Sequence, residues 1–145
     1  MAEAQNSTYL RPNDDGSVSL MIGGVEFTGN SAKFTTGTTT TTFAAGQLTG
    51  APFVNYTNTQ GTPGSIATRT ATEMFGDDPT ARVGTSYLLR VTNGQGTGTL
   101  TITAGSGVTL TGTATVAINS WREFIVTYTS ATALVIQNVG TGTFS

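Results

Sequence analysis

Apolar and polar residues alternate along the second half of the chain with a period of two, as in strands that bury one face. Leu100 and Ile102 show this spacing, and so do Phe124 and Val126. Glycine, asparagine and serine residues interrupt the alternation and favour turns. The pattern predicts six short strands, at residues 86–92, 97–103, 107–111, 114–118, 121–129 and 132–139. We therefore expect a mainly all-β fold, either a small antiparallel β-sandwich or a barrel-like meander.

The beginning of the chain has a less regular pattern. Val18, Leu20 and Ile22 are spaced as in a strand, and two glycines after them favour a hairpin. A run of threonines ends this segment, and β-branched side chains keep such a run extended. These features predict an extended N-terminal arm over residues 1–42 and a β-rich body over residues 43–145.

One short helix is predicted near residues 71–76. Thr70 and Glu73 have the spacing of a capping box, in which each side chain accepts a hydrogen bond from the backbone N–H of the other residue. Gly76 and the following Asp77-Asp78-Pro79 end the helix, because the residue before a proline disfavours the helical conformation. Met74 and Phe75 are its apolar anchors.

Few residues carry a charge. The chain has 145 residues, of which 10% are charged, compared with about 25% in ordinary soluble domains. Threonine makes up about a fifth of the chain, so we expect a neutral surface rich in hydroxyl groups. The net charge is -2, and the six cationic residues are scattered along the sequence. We therefore expect neither nucleic acid nor an anionic membrane as a partner.

The sequence contains no cysteine and no histidine. Disulfides, thiol nucleophiles, the usual zinc sites and imidazole bases are thereby excluded. We expect a protein that is not an enzyme and that uses no cofactor or metal. Residues 1–7 have neither a cationic nor an apolar signal region, and no apolar stretch approaches the roughly 18 residues of a membrane span. Synthesis in the cytoplasm is therefore expected.

Several local motifs have both a functional and a structural interpretation. The alternating glycines from Gly94 to Gly98 resemble a phosphate loop, but a strand rather than a helix is predicted after them, which favours a hairpin. Asp77-Asp78 is interpreted as a turn or helix cap rather than as a catalytic pair. Trp121 is interpreted as a buried anchor or subunit contact rather than an exposed platform for sugars. Arg122-Glu123 is interpreted as a solvated pair at a sheet edge.

A series of short phrases runs through residues 47–142. They are QLTGA at 47–51, TNT at 57–59, PG at 63–64, RTA at 69–71, MF at 74–75, YLLRVTN at 87–93, GSGVTLTG at 105–112 and FIVTYTSATA at 124–133. In this order they resemble a family of structural proteins from the gene clusters of tailed phages. The resemblance implies a virion β-protein of the capsid decoration (cement) or fibre kind, commonly trimeric.

Composition and resemblance together favour a homotrimeric cement protein on the exterior of a tailed-phage capsid. It would be made in the host cytoplasm, bind the major capsid protein and other copies of itself, and stabilise the shell by mass action. Contacts with the capsid or a neighbouring protomer are expected at Leu20, Ile22, Val25, Phe27, Phe34 and Phe43, and trimer contacts at Met74, Phe75 and Trp121.

Two alternatives stay open. A tail or head fibre or adhesin that binds host surface glycans would expose Trp121 or Tyr87 beside asparagine and aspartate side chains. A glycosidase would need two carboxyl groups, from Asp77, Asp78 or Glu123, roughly 5 to 9 Å apart in a cleft.

Overall fold

The computed structural model describes residues 8–12, 18–22, 25–28, 32–38, 41–61, 64–94 and 97–144. The chain divides into two compact units, Met1–Ser31 and Ala32–Ser145. We call the first the arm unit and the second the body. No helix among the described residues has the length and hydropathy needed to cross a membrane.

The arm unit contains an antiparallel sheet of three short strands. Its strands are β1 (Thr8–Pro12), β2 (Val18–Ile22) and β3 (Val25–Thr28), in the order β1-β2-β3. The hairpin predicted between the segments of β2 and β3 is confirmed. Strand β1 was not predicted, because its single aliphatic residue, Leu10, is too little to show an alternation.

The body consists mainly of strands. In chain order its elements are β4 (Lys33–Gly37), β5 (Phe53–Asn58), β6 (Ser65–Ala67), α1 (Ala71–Asp77), β7 (Ser86–Asn93), β8 (Leu100–Thr103), β9 (Val108–Thr111), β10 (Thr115–Val116), β11 (Ser120–Ser130) and β12 (Ala133–Thr143). They form a six-stranded sheet in the order β4-β5-β7-β11-β12-β9 and a three-stranded sheet in the order β10-β8-β6. The predicted all-β class with one short helix is therefore confirmed.

Both sheets of the body are mixed, whereas an antiparallel arrangement was expected. Strand β11 pairs antiparallel with β7 and with β12. The pairs β4–β5, β5–β7, β12–β9 and β6–β8 are parallel. The reason is the length of the connections. Residues 59–85 contain β6 and α1, and so long a segment can return the chain to the starting edge of the sheet before β7 begins.

Side chains from both sheets and from α1 form one hydrophobic core. In β5 and β7 the buried positions alternate strictly with more exposed ones, and β7 corresponds to a strand that the sequence pattern predicted. The largest fully buried side chains are those of Tyr56, Tyr128, Phe43, Phe124, Ile66, Met74, Leu89, Leu100, Leu134, Ile136, Val54 and Val91. Truncating a buried leucine to alanine costs about 2–5 kcal/mol, because it loses apolar contact and leaves a cavity.

Buried Asn93 connects the two sheets. It ends β7, and its Nδ2 donates to the carbonyl oxygens of Gly98 and Val116, each at 3.2 Å. Val116 lies in β10, so these bonds join the six-stranded sheet to the three-stranded one. The predicted hairpin after Asn93 is wrong, because β7 and β8 belong to different sheets.

The arm is shorter than expected, because β4 belongs to the body. Strand β4 pairs with β5, and the Lys33 ammonium group donates to the carbonyl oxygens of Gly46 (2.6 Å) and Thr49 (3.0 Å). The Thr35 hydroxyl donates to the carbonyl oxygen of Gln47 at 2.8 Å. The division therefore falls between residues 31 and 32 instead of 42 and 43. Side-chain hydrogen bonds hold this polar strand, and hydrophobic periodicity does not reveal them.

Helix α1 has the predicted cap. The Thr70 hydroxyl accepts a hydrogen bond from the Glu73 N–H at 3.2 Å, and the Thr70 N–H donates to the Glu73 carboxylate at 2.9 Å. Two hydrogen bonds to the Glu73 carboxylate, first from the Thr70 backbone N–H and then from the Thr70 hydroxyl at 2.9 Å, hold the pKa of Glu73 below its ordinary value. The helix continues past Gly76 to Asp77, and Asp78 is its C-cap.

Two glycines of the body provide a matched test of this packing. At Gly105 a Cβ atom would lie 2.5 Å from the carbonyl oxygen of Arg69, whereas at Gly76 nothing lies within 4 Å. We expect Gly105→Ala to lower the free energy of unfolding by about 1–3 kcal/mol, because backbone must move. Gly76→Ala should raise it by up to about 1 kcal/mol, because alanine is the better helix former. Urea denaturation followed by circular dichroism measures both, and a stable Gly105→Ala variant would contradict the packing.

Candidate functional site

The six-stranded sheet has one face in the core and an opposite face, which we call the outer face. It is defined by Phe34, Phe53, Leu88, Arg90, Trp121, Glu123 and Ile125, which alternate along their strands with buried or less exposed residues. Cross-strand pairing places Phe53, Leu88 and Ile125 in one row. Phe34, on edge strand β4, is 72% exposed, and Ile125 is 40% exposed. The outer face therefore presents apolar side chains that the core does not use.

Arg90 lies in the middle of the outer face. Its Nε donates to Glu123 Oε1 at 2.9 Å, within a salt bridge. The guanidinium carbon lies 4.7 Å from the centroid of the Trp121 ring and 5.6 Å from that of Phe53. A partly exposed ion pair contributes only about 0–1 kcal/mol. Its main effect is to neutralise the charges of this face and to hold two aromatic rings in place.

Glu123 pairs with Arg90 across the sheet and not with its chain neighbour Arg122, which corrects the sequence interpretation. Adjacent residues in a strand point to opposite faces. Arg122 instead donates to the carbonyl oxygen of Thr115 at 2.8 Å and to Oδ1 of Asn138 at 3.1 Å. Both charged groups are thus engaged within the body.

Trp121 is half-buried on the outer face. Its ring lies over Gly142 of β12, where a Cβ atom would come 2.5 Å from ring carbon Cε2, and Arg90 contacts the same ring. Tyr87 is buried, at 8% exposure. The glycan alternative requires one of these two rings to be freely exposed, and neither is. The trimer contact expected at Trp121 stays a prediction.

Two residues expected at protein contacts are buried in the core of their own chain. Phe43 is 1% exposed, and its ring packs edge-on against Tyr56 with the centroids 4.9 Å apart. Met74 is 2% exposed on the buried side of α1. Neither side chain is accessible to a capsid or to a second protomer. Both assignments are therefore corrected, because the body needs these large apolar groups for its own core.

The other contact residues lie in three places. Phe34 packs edge-on against Phe53, with centroids 6.4 Å apart, and remains the most exposed large apolar residue described. Phe75 is partly buried and packs edge-on against Tyr128 at 5.4 Å. The remaining four belong to the arm unit, where the register pairs Leu20 with Phe27 and Ile22 with Val25.

A polar network surrounds the end of α1. The Asp78 carboxylate is 6% exposed, and one of its oxygens accepts from the backbone N–H (2.9 Å) and the hydroxyl (2.7 Å) of Thr80. The other oxygen accepts from the Tyr128 hydroxyl at 3.1 Å. The neighbouring Asp77 forms an ion pair with Arg69 at 2.9 Å. The interpretation of this aspartate pair as a helix cap is confirmed, since Asp78 is the C-cap residue.

A cavity of about 240 Å³ opens beside this network. It is lined by Ala51, Pro52, Asp78, Thr80, Thr85, Ser86 and Tyr87. Sites for drug-sized ligands are usually about 300–1,000 Å³. The cavity is therefore of a size for one small group, such as a single sugar ring or one side chain of a partner.

The tyrosines of this region predict a loss of stability at alkaline pH. Burial and then the charge of Asp78 raise the pKa of Tyr128, and burial raises the pKa of Tyr87. The folded state thus favours the neutral phenols. Their contribution to stability is complete below about pH 10, the value for tyrosine in an unfolded chain, and is lost as the pH rises toward the folded pKa values.

We therefore expect the free energy of unfolding to fall above about pH 10. Tyr128→Phe removes one titrating group and the hydrogen bond to Asp78. The variant should be about 1–3 kcal/mol less stable at neutral pH and should show a shallower alkaline decline. Urea denaturation at a series of pH values measures both quantities, and an unchanged alkaline slope would refute the assignment.

Comparison with models of known protein families, with curated protein sequences and with solved structures found no match. In the part of the chain that the structure describes, no group of three or more aspartate, glutamate, histidine or cysteine residues is arranged to hold a metal ion. A function has to be inferred from the two units of the chain and from their surfaces.

Proposed function

We propose that this chain is a capsid decoration (cement) protein that binds the exterior of a tailed-phage head as a homotrimer and stabilises the shell. The observation that carries the proposal is the division into a small arm unit and a body with its own core. A body that folds around its own core can hold a position on a lattice while a separate unit engages a neighbour.

The residue types of the outer face favour other proteins as partners. Tryptophan, arginine and phenylalanine are enriched at the centres of protein interfaces, where charged residues are otherwise few. Here Arg90 already has its counter-ion in Glu123, so covering this face would bury no unpaired charge. The exposed Phe34 and Ile125 are available as apolar anchors.

The contacts of the cationic side chains in the body favour a protein partner over nucleic acid or a membrane. Arg69 and Arg90 are each engaged with carboxylates, and Lys33 and Arg122 donate to backbone carbonyl oxygens. Groups that are held in this way do not form a stripe that neutralises phosphates. The partners we propose are the major capsid protein and further copies of this chain, on the exterior of a virion assembled in the host cytoplasm.

Stabilisation of the shell requires no chemistry. A protein that binds the assembled lattice and not the free subunits shifts the equilibrium toward the shell by RT ln(1 + [L]/Kd), about 2.7 kcal/mol at a hundredfold excess over Kd. Each copy that bridges two capsid subunits opposes their separation, and the contributions of many copies accumulate over the surface.

Two truncations test the role of the arm unit. A chain that begins at Ala32 keeps β4 and should fold, but we expect it to lose most of its binding to capsids stripped of the wild-type protein. A chain that begins at Thr38 also lacks β4 and the bonds of Lys33, so it should be less stable as well. Sedimentation of capsid mixtures and thermal denaturation separate these effects. Full occupancy by the chain that begins at Ala32 would refute the arm assignment.

A second function, binding of host glycans by a fibre or adhesin, is favoured by the cavity. The exposed hydroxyls of Thr80, Thr85 and Ser86 around one concave site are groups that can hold a sugar ring without an aromatic platform. If this function is correct, a glycan array should give a signal that Ser86→Phe abolishes by filling the cavity. Thr109→Phe, on exposed β9, is the control. An array without signal would remove this candidate.

A further inference from the structure

The cavity beside the end of α1 has a buried floor and an exposed rim. Its buried lining residues, which we call the floor, are Ala51, Asp78 and Tyr87. Its exposed lining residues, which we call the rim, are Pro52, Thr80, Thr85 and Ser86. The only lining residue that carries a charge is Asp78, which is 6% exposed. A group that enters from the rim therefore approaches a largely buried carboxylate.

The charge of Asp78 has no counter-ion among the described residues. The ion pairs of this part of the chain involve other carboxylates. The groups that donate to Asp78 are neutral, namely the N–H and hydroxyl of Thr80 and the hydroxyl of Tyr128. The nearby Arg82 instead donates from Nη1 to the carbonyl oxygen of Ala81 at 2.6 Å. Because a buried ion is costly unless it is paired, a cation in the cavity would be favoured.

The end of α1 adds to this negative potential. Asp78 is the C-cap of the helix, and the last turn contains no basic residue. The carbonyl groups at a helix C-terminus carry partial negative charge and favour cations. After burial, the charge of Asp78 is the next cause that raises the pKa of Tyr128, so it acts on neighbouring groups as well. The floor of the cavity is thus a place where positive charge is stabilised.

The lining offers acceptors rather than donors. A carboxylate has about four acceptor positions. Three hydrogen bonds to Asp78 are present, so one position remains. The hydroxyls of the lining donate their protons to groups of the body: Thr80 to Asp78, Thr85 to the carbonyl oxygen of Arg82, and Tyr87 to that of Leu48, each at 2.7 Å. The complementary ligand group is therefore one that carries donors and no acceptor.

We infer that this cavity binds the guanidinium group of an arginine side chain from a partner protein. Guanidinium is positively charged, has N–H donors on every nitrogen and has no acceptor. It is also more weakly hydrated than an ammonium group, so its transfer to a partly buried site is less costly. A cavity of about 240 Å³ has the size for one side chain. The inference rests on the proposed binding to other proteins and names the group that the partner contributes.

Small probes test the inference on the unmodified full-length chain. N-acetylarginine amide and N-acetylcitrulline amide are isosteric, but only the first is charged. In NMR titrations of isotope-labelled protein, the arginine probe should shift the amide signals of Thr80, Thr85 and Ser86. The citrulline probe should bind at least about tenfold more weakly, because it cannot form a charge-assisted hydrogen bond with Asp78. Equal binding of the two probes, or tighter binding of N-acetyllysine amide, would overturn the inference.

Two substitutions locate the charge that matters. Asp78→Asn removes the charge in the cavity, and the Tyr128 hydroxyl can still donate to the carbonyl oxygen of Met74 at 3.3 Å. Glu73→Gln changes the net charge equally outside the cavity, and glutamine also fits the capping box. Binding of the arginine probe should weaken about tenfold or more in Asp78→Asn and stay within about twofold in Glu73→Gln.

An equal loss in the two variants would show that net charge and not the cavity determines binding, and the inference would be wrong. The comparison of arginine and citrulline probes needs no substitution. It therefore decides the question even if Asp78→Asn does not fold.

Binding to stripped capsids distinguishes this inference from the proposed function. If the arginine probe binds as expected and Asp78→Asn decorates capsids more weakly than Glu73→Gln, both are supported. If Asp78→Asn and the wild type decorate equally, the shell supplies no arginine to this cavity; the inference is then wrong and the cement function stands. If the probe binds as expected but the wild-type chain does not decorate capsids, the arginine site stands and the cement function is wrong.

Discussion

Both sheets of the body have an apolar face, and the need to cover that face governs the structure. In the body, Leu89 and Val91 of β7 point into a core that also receives Ile66 and Leu100 from the three-stranded sheet. The second sheet and α1 are thus the cover of the first, as in any two-layer domain. Asn93 lies where the two layers meet, and its buried amide is tolerated because backbone carbonyls accept its hydrogen bonds.

The outer face shows how the body manages the side that is not covered. A chain with 10% charged residues cannot surround exposed apolar groups with ions. It uses threonine hydroxyls along the strands and one cross-strand ion pair, Arg90 with Glu123, beside Trp121. Such a surface is less strongly hydrated than a charged one. Covering it with another protein therefore removes water from few charged groups and costs little free energy of desolvation. This property favours the proposed binding to other proteins.

Periodicity in the sequence is a reliable guide where apolar burial alternates along a strand, as from Phe124 to Tyr128, and where a local motif has a fixed spacing, as in the Thr70–Glu73 cap. It failed where contacts between residues far apart in the sequence determine the structure. Strand β4 is held by Lys33 and Thr35 side chains, and the Arg90–Glu123 pair joins residues on separate strands. Parallel pairing of strands likewise depends on the path by which a long connection brings the chain back to the starting edge of the sheet. Phe43 was expected at a partner because it follows a run of threonines, and no apolar alternation around it indicates a place in the core.

The body satisfies this constraint within one chain, because two sheets and α1 enclose a single core. The outer face lies outside this core and keeps Phe34 and Ile125 exposed. A partner that binds this face of the folded body, and not the unfolded chain, would stabilise the body by mass action.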